Sequence, residues 1–123
     1  MDRLDNDILK SKSESARRTL FSEYKNGARR RNLEFNLTTN QFSELTKQNC
    51  WYCGIEPSQI KYSSGHKRYY CFYNGIDRVN NTVGYVEANC IPCCGQCNRM
   101  KNVLHAEDFI IHIRKIAHNL NIL

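Results

Sequence analysis

At 123 residues the chain can bury only one modest core, with at most an appended helix at either end, so a metal staple would matter to its stability. No apolar run reaches the length of a membrane span, and Met1-Asp2-Arg3-Leu4-Asp5 does not resemble a secretory signal; the expectation is an intracellular, reducing compartment and no membrane. The seven cysteines, an odd number, then read as thiols or metal ligands rather than disulfides, and the net charge of +6 points to an anionic partner.

Residues 7–31 read as a helix. Leu9, Ala16, Leu20 and Tyr24 share a stripe with Phe21 beside it, and Gly27 weakens the last part. The charge is concentrated here: Lys10, Lys12, Arg17, Arg18, Lys25, Arg29, Arg30 and Arg31 stand against Glu14 and Glu23 between residues 10 and 31, a local +6 that leaves the rest of the chain balanced. Such a block favours a polyanion through counterion release; its plainer reading is a solvated helix face. Leu33-Glu34-Phe35-Asn36-Leu37 alternates as a short half-buried strand would, and Thr38 with Gln41 forms a capping box for a short helix carrying Phe42 and Leu45.

Residues 54–68 are loop-like, with Pro57, Ser63, Ser64 and Gly65. Tyr69 to Tyr73 is strand-prone, Ile76 to Val79 continues that strand, and Asn80, Asn81 and Gly84 mark a turn before a second strand from Val86 to Ile91. A helix begins at Gly95 and carries Asn98 and Met100. A last helix, Ala106 to His118, places Phe109, Ile110, Ile113, Ile116 and Ala117 on one packing face.

Two Cys-x-x-Cys pairs, Cys50 with Cys53 and Cys94 with Cys97, can close a tetrahedral zinc site, because a pair at this spacing is the bite that a tight turn offers one ion. Cys90 and Cys93 read as buried small hydrophobes, with a ligand role for that pair as the alternative. Trp51 is expected to pack over the knuckle. Closing the site would bring Asp77, at the end of an apolar run, near Asn98, directly after the last cysteine.

Two strands joined by a loop and followed by a helix, with an acid on the first strand and an amide at the helix start, resemble the ββα-metal motif of HNH endonucleases. Asp77, Asn89, Cys94, Cys97 and Asn98 stand at the spacing of that motif. Gly84-Tyr85, Met100-Lys101 and the stretch from Tyr24 to Leu37 resemble small phage-type members, so the likeness covers most of the chain from about residue 20 onward. The fold class this implies is α+β: a ββα-metal motif with a four-cysteine zinc knuckle, flanked by a basic N-terminal helix and a C-terminal packing helix. A basic helical extension would occupy residues 1–37 and the zinc-stabilised part residues 38–123, within one domain overall.

The resemblance also implies roles. Asp77 and Asn98 would hold one Mg²⁺ or Mn²⁺, Asn89 would fix the loop, and Cys50, Cys53, Cys94 and Cys97 would bind the structural zinc. Arg17, Arg18, Lys25, Arg29, Arg30, Arg31 and Lys101 would track a nucleic-acid backbone, DNA before RNA, although phosphate contacts alone do not separate the two. One position departs from the family: Arg78 stands where its general base is normally His, and a guanidinium does not give up its proton. Arg78 would then clamp phosphate while His66, Tyr69, Tyr73 or a metal-bound water supplies the base, or catalysis would be slow and rest mainly on the metal. The third reading is a non-catalytic, zinc-stabilised nucleic-acid-binding module that keeps the nuclease scaffold. His66, in a Ser/Gly loop, and His105, His112 and His118, on or near the last helix, read more simply as surface residues, and Tyr69, Tyr70, Phe72 and Tyr73 as core and sheet surface.

Overall fold

The computed structural model describes residues 3–122, and the side chains of residues 11–65 and 68–122. The first helix, α1 (Arg3–Arg30), is longer than its apolar stripe suggests and runs through Gly27. Ala16, Leu20 and Ala28 are buried along it and Tyr24 is half-buried, one helical turn apart in each step, as a single buried stripe requires. Leu9 and Lys10 lie outside the described side chains. The helix ends where Leu33 N–H donates to Ala28 O at 2.8 Å and Asn32 takes a left-handed φ of 56°.

The segment expected as a strand at 33–37 pairs at one residue only, Phe35 with Tyr85, because the chain turns directly into α2 (Thr39–Thr46). The capping box there is complete: Thr38 Oγ1 accepts from Gln41 N at 3.1 Å, and Gln41 Oε1 accepts from Thr38 N at 2.9 Å.

Part of the expected loop at 54–68 is instead a strand, β1 (Gln59–Ser63), antiparallel to β2 (His66–Tyr73) across a turn at Ser64-Gly65. Its apolar residues escape a core-seeking pattern because they face outward. Ile60, Tyr62, Tyr70 and Phe72 share the exposed side of the hairpin, while Cys71 and Ser63 face α1. The chain then changes sheets at the fully buried Asn74, whose Nδ2 donates to Gln48 O and Ile55 O. β3 (Gly75–Arg78) is therefore a new strand rather than a continuation. Its antiparallel partner β4 (Cys90–Cys93) starts later than expected, since residues 87–89 form a 3₁₀ turn.

α3 (Gly95–Lys101) follows β4 directly, and α4 (Ala106–Asn119) is anchored where Ala106 N–H donates to Val79 O at 3.0 Å. Of the packing face expected on α4, Phe109 and Ala117 are buried with Ala106, whereas Ile113 and Ile116 are 40% and 46% exposed, so only part of that face packs. Leu20 and Ala28 of α1 share one core with Leu37, Phe42, Ile76, Tyr85 and Cys90, and Phe42 meets both Phe21 and Tyr24 edge-on. No helix among the described residues is long and apolar enough to cross a membrane. The architecture is α+β, two small sheets among four helices.

Candidate functional site

The sulfur atoms of Cys50, Cys53, Cys94 and Cys97 all lie within 4.8 Å of one another, and Cys53 Sγ is 3.7 Å from Cys94 Sγ. A tetrahedron of metal–sulfur bonds about 2.3 Å long has edges of about 3.8 Å, so four thiolates placed this way can hold one metal ion. Each pair sits on a tight backbone turn. Gly54 at φ 80° closes the first, with its N–H on Cys50 O, and Cys94 caps α3 in the second, accepting from Cys97 N at 3.4 Å. Burial pushes the Cys50 thiol up, but the backbone amides of Cys53, Cys94 and Tyr52 outweigh it and bring it down to about 6. Cys90 belongs to the other core cluster, and Cys93, 1% exposed, gives its thiol to Cys94 O; neither belongs to the four-sulfur group. Trp51 is 57% exposed and leans edge-on against Tyr52, so Tyr52 rather than Trp51 is the aromatic that packs under the knuckle.

Tyr52 and α3 converge on Asp77. The Tyr52 hydroxyl donates to Asp77 Oδ2 at 2.7 Å, and Lys101 Nζ lies 3.0 Å from Asp77 Oδ1 and donates to Arg78 O at 3.2 Å. Burial and that hydrogen bond push the Tyr52 phenol up, so it keeps its proton. Both partners hang from the knuckle: Tyr52 lies between Cys50 and Cys53, and Lys101 lies one helical turn beyond Cys97. Neither contact has a local sequence signature, since 25 and 24 residues separate the partners from Asp77.

Asp77 opens on a cleft of about 590 Å³ that Arg31, Arg78, Tyr85, Asn98 and Asn102 also line. Asp77 and Asn98 thus face one space, and Asp77 is the one acid among its lining residues. Arg78 donates to Asn81 O, Val83 O and Asn81 Oδ1, and lies 5.4 Å over the buried Tyr85 ring. Arg31 lies 5.9 Å from that ring centre and donates to the Tyr85 hydroxyl at 3.0 Å. One ring therefore carries two guanidinium groups. Asn89, buried at the end of the 3₁₀ turn, ties the 80–84 loop: its Oδ1 accepts from Asn80 N, and its Nδ2 donates to Asn80, Val83 and Gly84 carbonyls. Tyr24 reaches the cleft from α1, where its hydroxyl accepts from Ile76 N at 3.1 Å.

The basic residues divide. Arg18, Lys25, Arg29, Arg30 and Arg31 are exposed, with Arg18, Lys25 and Arg29 on one stripe of α1. Two others are not available to a phosphate backbone. Lys101 is fully buried against Asp77, and Arg17, 8% exposed, is spent on Thr46 Oγ1 at 2.7 Å and Phe72 O at 3.0 Å. The cleft lining includes neither Tyr69 nor Tyr73, and the side chain of His66 lies outside the described residues.

No family model matches the chain. The uncharacterized protein R423 of Acanthamoeba polyphaga mimivirus is 41% identical over 97 residues; the match takes in 79% of this chain, which spans 16% of that relative's length. Among solved structures, the rare-cutting HNH restriction endonuclease PacI superposes with a TM-score of 0.60 at 20% identity, over 85% of this chain and 81% of that one. The fold is HNH-like.

Proposed function

We propose that this chain is an HNH-type endonuclease, a metal-dependent hydrolase of DNA phosphodiester bonds. One observation carries the reading: on an HNH-like fold, Asp77 of β3 and Asn98 of α3 face a single cleft whose other charged lining groups are the guanidinium ions of Arg31 and Arg78. Guanidinium pairs over an aromatic ring suit a phosphodiester, which they can grip with parallel N–H donors.

The four-thiolate cluster fits zinc, by ligand type and by sulfur spacing, as a structural ion. Asp77 and Asn98 would hold the second ion, Mg²⁺ or Mn²⁺; each Asp77 oxygen keeps a lone pair after serving Tyr52 or Lys101. When bound, such an ion supplies Lewis-acid stabilisation of charge on the scissile phosphate and the leaving oxygen. The chain's own residues do the rest. Arg31 and Arg78 bind and orient the phosphate, Asn89 holds the loop against which Arg78 is braced, and Tyr52 with Lys101 fixes the Asp77 carboxylate in one orientation. The exposed stripe Arg18, Lys25 and Arg29 would follow the backbone further along the duplex.

A second reading, a nucleic-acid-binding module without catalysis, is favoured by Arg78, since the described cleft lining has no histidine to accept a proton. Nicking of supercoiled plasmid separates the two. Mg²⁺- or Mn²⁺-dependent nicking by wild type that falls by orders of magnitude in Asn98→Ala supports the nuclease. Asn98 is exposed, so that change leaves the core intact. Duplex binding without cleavage in any metal selects the module.

A further inference from the structure

The charges around Asp77 do not describe a waiting cation site. Its carboxylate is 4% exposed and already sits against the fully buried Lys101 ammonium at 3.0 Å, so the pair is neutral before any ion arrives. Arg31 and Arg78 then leave the cleft lining with an excess of positive charge, and no second acid lines it. A divalent ion entering this space alone would meet two guanidinium groups and compete with an ammonium that desolvation costs have already been spent to bury. A phosphodiester meets the opposite conditions. Arg31 uses Nε on Gly27 O and one Nη2 proton on Tyr85, and Arg78 uses both Nη1 protons and one Nη2 proton on the 81–83 loop. Five of the ten guanidinium N–H groups remain for an anion, held in place by those same bonds.

We propose that the cleft is a phosphate site first and a metal site second. The free protein holds phosphodiester through Arg31 and Arg78 without a divalent ion, and Lys101 serves as the resident counter-charge of Asp77. A divalent ion is admitted at Asp77 and Asn98 only once a bound phosphodiester has offset part of the positive charge of Arg31 and Arg78 and offered its own oxygen as a ligand. This ordering rests on the proposed endonuclease function and adds to it how its metal is gated. It also makes a reciprocal demand, because coupling between two ligands acts equally on both: the metal must tighten nucleic-acid binding by the factor by which nucleic acid tightens metal binding.

The test uses the zinc-loaded protein and reads bound Mn²⁺ by electron paramagnetic resonance, with and without a short DNA duplex, against a blank of duplex alone. The expected result is an Mn²⁺ affinity at least about tenfold weaker for free protein than for complex, within the usual range of ligand coupling. Duplex binding followed by anisotropy should already occur without divalent ion and weaken in Arg31→Ala. Lys101→Met, which removes the resident cation, should bind Mn²⁺ in the absence of DNA, with a melting temperature that rises on adding Mn²⁺ while that of wild type does not. Equal Mn²⁺ affinity for free and DNA-bound wild type would overturn the ordering and leave the nuclease reading standing. A complex that binds duplex and takes up no Mn²⁺ at all would remove both. Should Lys101→Met not fold, the wild-type comparison decides alone.

Discussion

Lys101 Nζ lies 3.0 Å from Asp77 Oδ1, with the lysine fully buried and the aspartate 4% exposed. A buried pair of this kind is a poor source of net stability, because removing both ions from water costs nearly what their attraction returns. What it does strongly is penalise the loss of one partner. It also couples two elements: β3 provides the acid, α3 provides the base, and Lys101 reaches on to the Arg78 carbonyl. The carboxylate that faces the cleft is positioned by a contact behind it.

Asp77→Leu and Lys101→Met, made singly, are expected to destabilise the fold by about 3–5 kcal/mol each, since each strands a buried charge. The double variant should lose much less than the sum, with a coupling energy on the order of 2–3 kcal/mol. Urea denaturation of the four proteins measures the cycle. Additive losses would mean that the two side chains do not sense one another.

The cysteine cluster bears on the same carboxylate. Tyr52 and Lys101 are each tethered to a Cys-x-x-Cys turn, so an ion held by the four sulfurs would, on release, be expected to loosen both hydrogen-bond partners of Asp77 at once. A four-thiolate zinc site is worth about 10–16 kcal/mol at neutral pH, against about 5–15 kcal/mol of total stability for an ordinary domain. Chelation is therefore expected to unfold residues 50–101 rather than only loosen the knuckle, and Cys97→Ser to do the same without chelator. Colorimetric zinc release should give one ion per chain, in step with the loss of circular dichroism. A chelated protein that melts at its original temperature would contradict this.

The parts of the fold that rest on local rules are legible in the residues. The two cysteine pairs announce by their spacing a cluster that could hold a metal ion, Thr38 and Gln41 announce a helix start, and Ala16, Leu20 and Tyr24 announce a stripe along α1. The parts that rest on distant contacts are not. Ile60 and Tyr62 belong to a strand whose apolar side faces solvent, which leaves no inward pattern to read. Lys101 looks like any helix-surface lysine, and Arg17 like any member of the basic block, until the fold shows that each points inward. Tyr52 carries no signal beyond lying between Cys50 and Cys53. The sequence motif marks Asp77 and Asn98; the residues that hold Asp77 in place become visible only in three dimensions.

Gly84 gives a test of the arginine pair that leaves both arginines in place. A Cβ there would stand 2.5 Å from Glu34 O and 2.8 Å from Glu34 N, both backbone atoms that cannot swing aside. Gly84→Ala must push apart the contact in which Tyr85 N–H donates to Glu34 O at 2.7 Å, and with it the ring on which Arg31 and Arg78 rest. The expected cost is about 1–3 kcal/mol, typical of overpacking. DNA affinity should fall several-fold in the surviving folded protein, measured by anisotropy well below the melting temperature. Unchanged affinity would mean that the ring does not set the arginine geometry.

Tyr24 makes the alkaline limit of stability predictable. Its hydroxyl accepts from Ile76 N at 3.1 Å and sits so close to Gly75 that a Cβ there would lie 2.6 Å away. Burial pushes the phenol up from its ordinary value of 10 to about 12. The folded state thus keeps a proton that the unfolded chain has released, so the stabilisation is complete below pH 10 and drains away as pH climbs from 10 to about 12. Over that window Tyr24 should account for a loss of up to about 2–3 kcal/mol. Tyr24→Phe removes the acceptor and leaves the Ile76 N–H unsatisfied, which costs about 1–3 kcal/mol at neutral pH. It should also flatten the alkaline slope, because a phenyl ring has nothing to titrate. Denaturant midpoints of the two proteins at pH 8, 10 and 11.5 supply the comparison. If both lose stability in parallel above pH 10, other buried groups such as Tyr73 and Cys90 set the alkaline limit instead.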